Sequence, residues 1–379
     1  MKTLFYTGLL GLIIFEILNV YYIMPVPGSQ EMNSIDVAYF LYRWRWAFRI
    51  IFLAMLLTGL VCAQWKRKWL LIFPLGLLGV VAYTLNYEIA ADHMFYQPKK
   101  LAMLSAAENK VDTSRLVIGI ENNGQAKAYP ISFLSYHHQV QDSIGGKPVI
   151  VTYCNVCRTG RVYEPLVNGQ LEHFRLVGMD HYNAMFEDTR TKSWWRQVTG
   201  DAITGKLKGS HLPEFFSTQT SLGQWLRLYR NSLVMQADSG AATFYDTTFK
   251  YENGKGRGKL TGTDSLSWKN KSWVVGIKSK DATKAYDWNQ LKIERVIHDK
   301  IHNTPVLLVF AHDDQSFFAF ERPDQNALFT LRNDTLLWNA RHYTINGRGI
   351  DTAFSLKKLP AFQEFWHSWR SFNPGTERY

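Results

Sequence analysis

With 379 residues, 46% of them hydrophobic and 20% charged, the chain has room for two compact units with cores of their own and is too apolar for a disordered one. Three cysteines in that length exclude a disulfide-stapled scaffold, and folding needs no staples. The net charge of +11 would suit nucleic acid, but the Lys and Arg residues are scattered rather than striped, so it reads as solvated surface with some attraction to anionic headgroups.

Apolar residues crowd residues 1–92, which read as a membrane domain. The run at 4–24, LFYTGLLGLIIFEILNVYYIM, is long enough at about 1.5 Å per residue to cross a hydrocarbon core of about 30 Å. Further runs at 46–64 and 69–87 predict two more spanning helices, so the lipid bilayer is the first partner implied. A signal peptide is the alternative for the first run, but 20–27 offers no small-x-small cleavage site. Lys66, Arg67 and Lys68 favour a cytoplasmic loop between the second and third spans, which sends the remainder of the chain to the extracytoplasmic side, periplasmic in a bacterium. Such a domain meets no nucleic acid. Arg43, Arg45 and Arg49 flank the second span on the opposite side and weigh against that orientation. Glu16 and Asn19 inside the first span predict a helix–helix hydrogen bond rather than transport.

Beyond Asn109 the chain turns into short β-rich runs that repeat at a fixed offset: Gly119-Ile120 returns as Gly276-Ile277, Lys127-Ala128-Tyr129 as Lys284-Ala285-Tyr286, Asp142 as Asp299, and Pro148-Val149 as Pro305-Val306. The register resumes at a shorter offset, matching Gly200 to Gly347 and Leu212-Pro213 to Leu359-Pro360. Each copy closes on an aromatic, helix-like segment, 221–232 and 361–374. The expected fold class is α+β: three N-terminal transmembrane helices, then two tandem, duplicated, mostly antiparallel sheet units with packed helices. The expected domains are 1–92, a first repeat at 110–238, a Gly-, Lys- and Thr-rich linker at 239–271, and a degenerate second repeat at 272–379.

The unusual polar residues cluster in the first copy, since Cys154 aligns with Ala311, His137 with Glu294 and His138 with Arg295. That pattern predicts one site in copy one, with copy two as packing partner or wall of a cleft. Residues 147–153 read as a buried strand that delivers Cys154 at its end, and the alternation after Arg158, turning at Asn168-Gly169, predicts a hairpin rather than a helix. A turn between strands favours two sulfurs converging on one ion, whereas the helix N-terminus that activates a thioredoxin-type cysteine is missing. Cys154, Cys157, His137 and His181 are therefore the expected ligands of copper or zinc, with His138 as a further candidate. A redox dithiol stays open, with Arg158 and Arg161 as partners for a thiolate; a staple across so short a loop stabilises least. Haem is excluded because Arg158, not His, follows Cys157. No phosphate-cradling glycine loop marks a nucleotide site, and GxSxG and HExxH are absent from the sequence. Trp194-Trp195 reads as buried aromatics, and Asp180 with Glu187 as ordinary carboxylates rather than an acid–base pair.

LVIGIENNGQAKAYP, SYHHQVQDSIGGKPVIVTYCNVCRTG, GMDHYNAMFEDTRTKSWWRQVTGDAITGKLKG and LPAFQEFWHSWRSFNP together resemble the domain-of-unknown-function 3179 family over about 116–376. The resemblance implies weight at His137, at the YCxxC of Tyr153 to Cys157, and at Tyr182 and Asn183. It lends no activity. Family members often carry Gly after the second cysteine, where this chain has Arg158. Three functions are thus expected in competition: an extracytoplasmic metal-binding protein, a thiol–disulfide oxidoreductase in which Cys154 attacks, Cys157 resolves and His137 accepts the proton, and a non-catalytic module for a membrane-protein partner.

Overall fold

The structure, a computed structural model, describes all of residues 1–379 except Lys99, Asp281 and Thr352. Three helices are long and apolar enough to cross a membrane, Lys2–Tyr21, Arg45–Cys62 and Lys68–Glu88, and a sheet-rich region with short helices follows them, an α+β architecture. The chain divides into two compact units: residues 1–96, 172–196 and 201–211 form one, and 97–171, 197–200 and 212–379 the other. That division cuts across the repeat boundaries read from the sequence, because most of 172–211 joins the unit of the N-terminal helices while both repeats share the second unit.

In the first unit the helices Lys2–Tyr21 and Arg45–Cys62 touch backbone to backbone. A Cβ on Gly8 would lie 2.4 Å from the Leu56 nitrogen, so only small residues permit the approach. Glu16, buried at 4% exposure, receives Arg49 Nε at 2.7 Å and Asn86 Nδ2 at 2.8 Å, which ties together all three apolar helices. The polar contact expected at Glu16 is thus an ion pair. A four-stranded antiparallel sheet, ordered Ala202–Thr204, Trp194–Arg196, Asn183–Asp188 and Phe174–Asp180, belongs to this unit as well. Its Val177, Met185 and Trp194 form one core with Ile23 and Ala38, and the Trp194 ring meets those of Tyr39 and Tyr42, each at 5.1 Å. Arg175 reaches Asp92 at 3.0 Å and Glu187 at 2.9 Å.

In the second unit the element order of the first repeat recurs in the second. Strands Leu116–Asn122 and Gln125–Pro130, helix Ile131–His137, and strands Gln139–Ile144, Lys147–Cys154 and Thr159–Tyr163 correspond to Trp273–Ser279, Ala282–Asp287, Trp288–Glu294, Val296–Ile301, Thr304–Phe310 and Phe317–Glu321. Each repeat closes with a strand, a helix and a short strand: Thr218–Ser221, Leu222–Leu228 and Leu233–Met235 in the first, Ala361–Phe365, Trp366–Phe372 and Glu377–Arg378 in the second. The same contacts brace both. Tyr129 donates to Asp142 at 2.7 Å as Tyr286 does to Asp299 at 3.0 Å, and Lys127 and Lys284 pair with those carboxylates at 2.8 and 2.7 Å. Trp225 packs onto Gly119 and Trp369 onto Gly276, where an added Cβ would stand 2.3 and 2.2 Å from the ring. The glycines that recur in the sequence are therefore seats for the indoles of the closing helices.

The repeats also exchange contacts. The Phe365 amide donates to the Cys157 carbonyl at 3.0 Å, so the cysteine hairpin of repeat one lies against the closing strand of repeat two. Reciprocally, the Ser221 amide of repeat one donates to Ser316 Oγ in the matching turn of repeat two at 2.9 Å.

Candidate functional site

The strand Lys147–Cys154 is buried from Val149 onward, as its β-branched run predicts, and it pairs with Thr159–Tyr163 so that Cys154 faces Thr159. Asn155 to Arg158 make the turn, a hairpin as expected and not a helix start. Arg158 has φ 56°, the left-handed region that costs a glycine least. The Arg158 side chain offsets that cost by anchoring the turn. Fully buried, it donates to Gln363 Oε1 at 2.9 Å and to the Tyr251 and Glu252 carbonyls at 3.0 Å each, and lies 3.7 Å from the Trp273 ring centre.

Cys154 and Cys157 are both present as thiols and both wholly buried. The Cys157 thiol is in hydrogen-bonding contact with Cys154 and with Ser368; burial, then the contact with Cys154, pushes it well above the usual thiol range. Ser368 donates to Glu364 Oε2 at 2.8 Å. The other carboxylate oxygen, Oε1, accepts from Thr159 at 2.9 Å and from the buried Arg161 guanidinium. On the other side stands Lys271, which donates to the Val156 carbonyl at 2.8 Å and lies 3.2 Å from His367 Nε2. Burial lowers the Lys271 pKa, opposed by the negative charge that Cys157 and Cys154 would carry. Burial and the neighbouring Lys271 bring His367 down to about 3, so its ring is neutral. Two sulfurs, one amine, one imidazole, one hydroxyl and one carboxylate thus form a buried cluster, in which any charge is felt more strongly than in water.

A segment at 246–271 crosses this cluster as a strap. The Tyr251 hydroxyl donates to the Asn155 carbonyl at 3.0 Å and lies 3.0 Å from that of Tyr153. Glu252 accepts from Arg115 and from the Leu116 amide, both at 2.9 Å. The stretch expected to be a connector is therefore part of the site.

The imidazoles expected to complete a metal site each have a polar partner of another kind. His137 is buried at the end of its helix with Nε2 2.7 Å from the Tyr245 hydroxyl. His138 caps that helix at φ 61°, with Nδ1 3.0 Å from the Tyr136 carbonyl, and burial takes it down to about 4. His181 and Tyr182, at φ 50° and 65°, form the two-residue turn between Asp180 and Asn183, a type I′ geometry, and they lie in the compact unit of the N-terminal helices. His181 Nδ1 lies 2.8 Å from Asp180 Oδ1, a hydrogen bond that raises its pKa. Among the described residues no group of three or more His, Cys, Asp or Glu side chains stands at metal-holding distances. Arg158 and Arg161 serve Gln363, the strap and Glu364. Asp180 and Glu187 accept from Arg196 and Arg175.

Lys271, Glu364, His367 and Ser368 escaped the sequence reading, although a signal for three of them existed. With Trp225 matched to Trp369, Glu364, His367 and Ser368 replace Thr220, Gly223 and Gln224. The sequence pattern placed the unusual polar residues in copy one, whereas these lie in copy two.

A family model described as "Protein of unknown function (DUF3179)" matches residues 97–376. No curated protein and no solved structure matches the chain.

Proposed function

The chain belongs to the DUF3179 family, and we propose that its Cys154–Cys157 pair is the redox centre of a membrane-anchored thiol–disulfide oxidoreductase. One observation carries this reading: the two thiols touch each other beside the Lys271 amine, in a pocket that supplies an acid–base partner for sulfur. A protonated Lys271 favours a thiolate and opposes a metal cation between the same sulfurs.

The chemistry balances with a disulfide-bearing peptide or protein as co-substrate. The Cys154 thiolate attacks one sulfur of the substrate disulfide, forming a mixed disulfide and releasing the other sulfur as thiolate. Cys157, deprotonated in turn, attacks Cys154 and expels the second substrate thiolate. The substrate gains two electrons, and the pair ends as an intramolecular disulfide. We assign the attack to Cys154 and the resolving step to Cys157, the thiol of which is held well above the usual range by burial and by the contact with Cys154. Run backwards, the same steps oxidise a dithiol.

The three apolar helices anchor this centre, and we place it outside the cytoplasm, with Lys66, Arg67 and Lys68 inside. The ion pair with Glu16 supports that orientation, since it neutralises Arg49, one of the three charges that argued against it.

The test is equilibration of the full chain, in detergent, with graded glutathione redox buffers, followed by acid quenching and mass measurement. The expected outcome is a two-electron transition within the range of known exchange catalysts, about −120 to −270 mV, that disappears in Cys154→Ser. Thiols that persist under oxidising buffer, or one metal ion per chain lost in Cys154→Ser, would overturn the proposal.

A further inference from the structure

The structure assigns Glu364 and Ser368 of the second repeat to the first repeat's thiols, as the path by which Cys157 loses its proton before it attacks the mixed disulfide. The inference rests on the redox reading above and adds residues and a direction to it.

Resolution requires a thiolate at Cys157, in a place where burial strongly favours the thiol. With the strap closed over it the sulfur is wholly buried, so the groups placed to take the proton are those that touch it. Ser368 touches Cys157 and donates its own hydrogen to Glu364 Oε2 at 2.8 Å. With its hydrogen on Glu364, Ser368 Oγ can offer a lone pair to the Cys157 thiol that it touches. A proton passes from Cys157 Sγ to Ser368 Oγ as the serine proton passes to Glu364 Oε2; the serine is unchanged, the carboxylate becomes a carboxylic acid, and the freed electron pair on sulfur forms the bond to Cys154. Thr159 and Arg161 hold Oε1, so Oε2 alone faces the serine. When the disulfide is reduced, the proton returns by the same route.

The repeat supplies a second, independent argument. Glu364 and Ser368 stand where the first repeat has Thr220 and Gln224, and Cys154 and Cys157 stand in a turn whose counterpart begins at Ala311. A carboxylate and hydroxyl particular to one copy meet thiols particular to the other, at the place where the copies exchange contacts. A scaffold brace would have recurred in both copies, as the Tyr129–Asp142 and Tyr286–Asp299 pairs do.

Ser368 touches the reacting sulfur and is catalytic in this scheme, whereas Glu364 acts through it as a positioning and proton-accepting residue. The experiment follows reduction of oxidised glutathione by the reduced full chain from pH 5 to 9, in the parent, Glu364→Gln and Ser368→Ala. Both variants should slow resolution at least about tenfold at pH 7, accumulate Cys154 carrying one glutathione, and approach the parent rate as alkali replaces the internal acceptor. Ser368→Ala leaves the Arg161–Glu364 pair intact, so it decides the matter if Glu364→Gln fails to fold. Parent-like rates across the pH range in Ser368→Ala would overturn the relay and leave the redox reading standing. A parent chain that never forms a mixed disulfide would overturn both.

Discussion

His138 occupies a backbone position that asks for a left-handed residue, at the C-terminal end of Ile131–His137, and its ring is buried to 3% exposure. Its counterpart Arg295 ends Trp288–Glu294 at φ 59°, so the cap belongs to the scaffold and the imidazole is particular to this copy. Unfolded, such a ring titrates near 6.5; folded, burial takes it to about 4. Above about pH 6.5 both states hold the neutral ring and the native state keeps its full stability. As the pH falls the unfolded chain takes the proton first, and stability declines towards pH 4, by about 3 kcal/mol for a shift of this size. His367, brought to about 3, contributes with the same sign over a window that extends lower. His138→Asn keeps a residue that tolerates the left-handed region, and in urea unfolding it should lose less stability than the parent between pH 7 and 4.5. An equal loss in both would mean that this ring does not titrate. Adjacent histidines beside a CxxC invited a ligand reading at the sequence level, because residue type announces chemistry while the caps and hydrogen bonds that consume it depend on neighbours such as Tyr136 and Tyr245.

Elements with a period were legible and those without one were not. The apolar runs predicted three helices, which the structure places at Lys2–Tyr21, Arg45–Cys62 and Lys68–Glu88, each long and apolar enough to cross a membrane, and Asn168-Gly169 predicted a turn that it shows at φ 52° and 74°. The strap at 246–271 has no such signature, since its Gly, Lys and Thr content is that of any connector. Its hold on the site comes from single side chains, chiefly Tyr251 over the cysteine turn and Glu252 against Arg115. Both thiols lie beneath it, so the proposed chemistry requires it to lift, and segments held by few contacts open locally at a lower free-energy cost than the whole fold. Removing the guanidinium in Arg115→Leu leaves Glu252 buried and without its cation, which favours release. Alkylation of Cys154 and Cys157 in the native chain should then rise by about tenfold or more, with the unfolding midpoint lowered less than that increase would require of global unfolding. An unchanged labelling rate would show that access to the thiols is set elsewhere.

At the scale of the molecule the duplication was visible because identical residues recur, but the allegiance of 172–211 was not. Val177, Met185 and Trp194 find their partners at Ile23 and Ala38, far away along the chain, and an apolar residue does not say which apolar surface will cover it. The stretch 172–196 consequently packs inside the compact unit of the N-terminal helices, through Trp194 with Tyr39 and Tyr42 and through Arg175 with Asp92. Those helices in turn depend on one polar contact. Glu16 and Arg49 meet with two hydrogen bonds, at 2.7 and 2.8 Å, between two largely apolar helices, and Asn86 joins them from the third. An ion pair with that geometry makes little net contribution over an apolar pair of similar volume, but breaking one partner leaves a charge where water does not reach it. Arg49→Leu should therefore cost about 3–5 kcal/mol in detergent unfolding of the full chain, and Glu16→Leu, which strands the arginine at a more accessible place, somewhat less. The double change Glu16→Leu with Arg49→Leu should recover most of the loss, because two leucines pack where two charges cancelled. Additive losses in the double variant would mean that the two side chains are solvated separately, and that the three apolar helices are held by their glycine contacts instead.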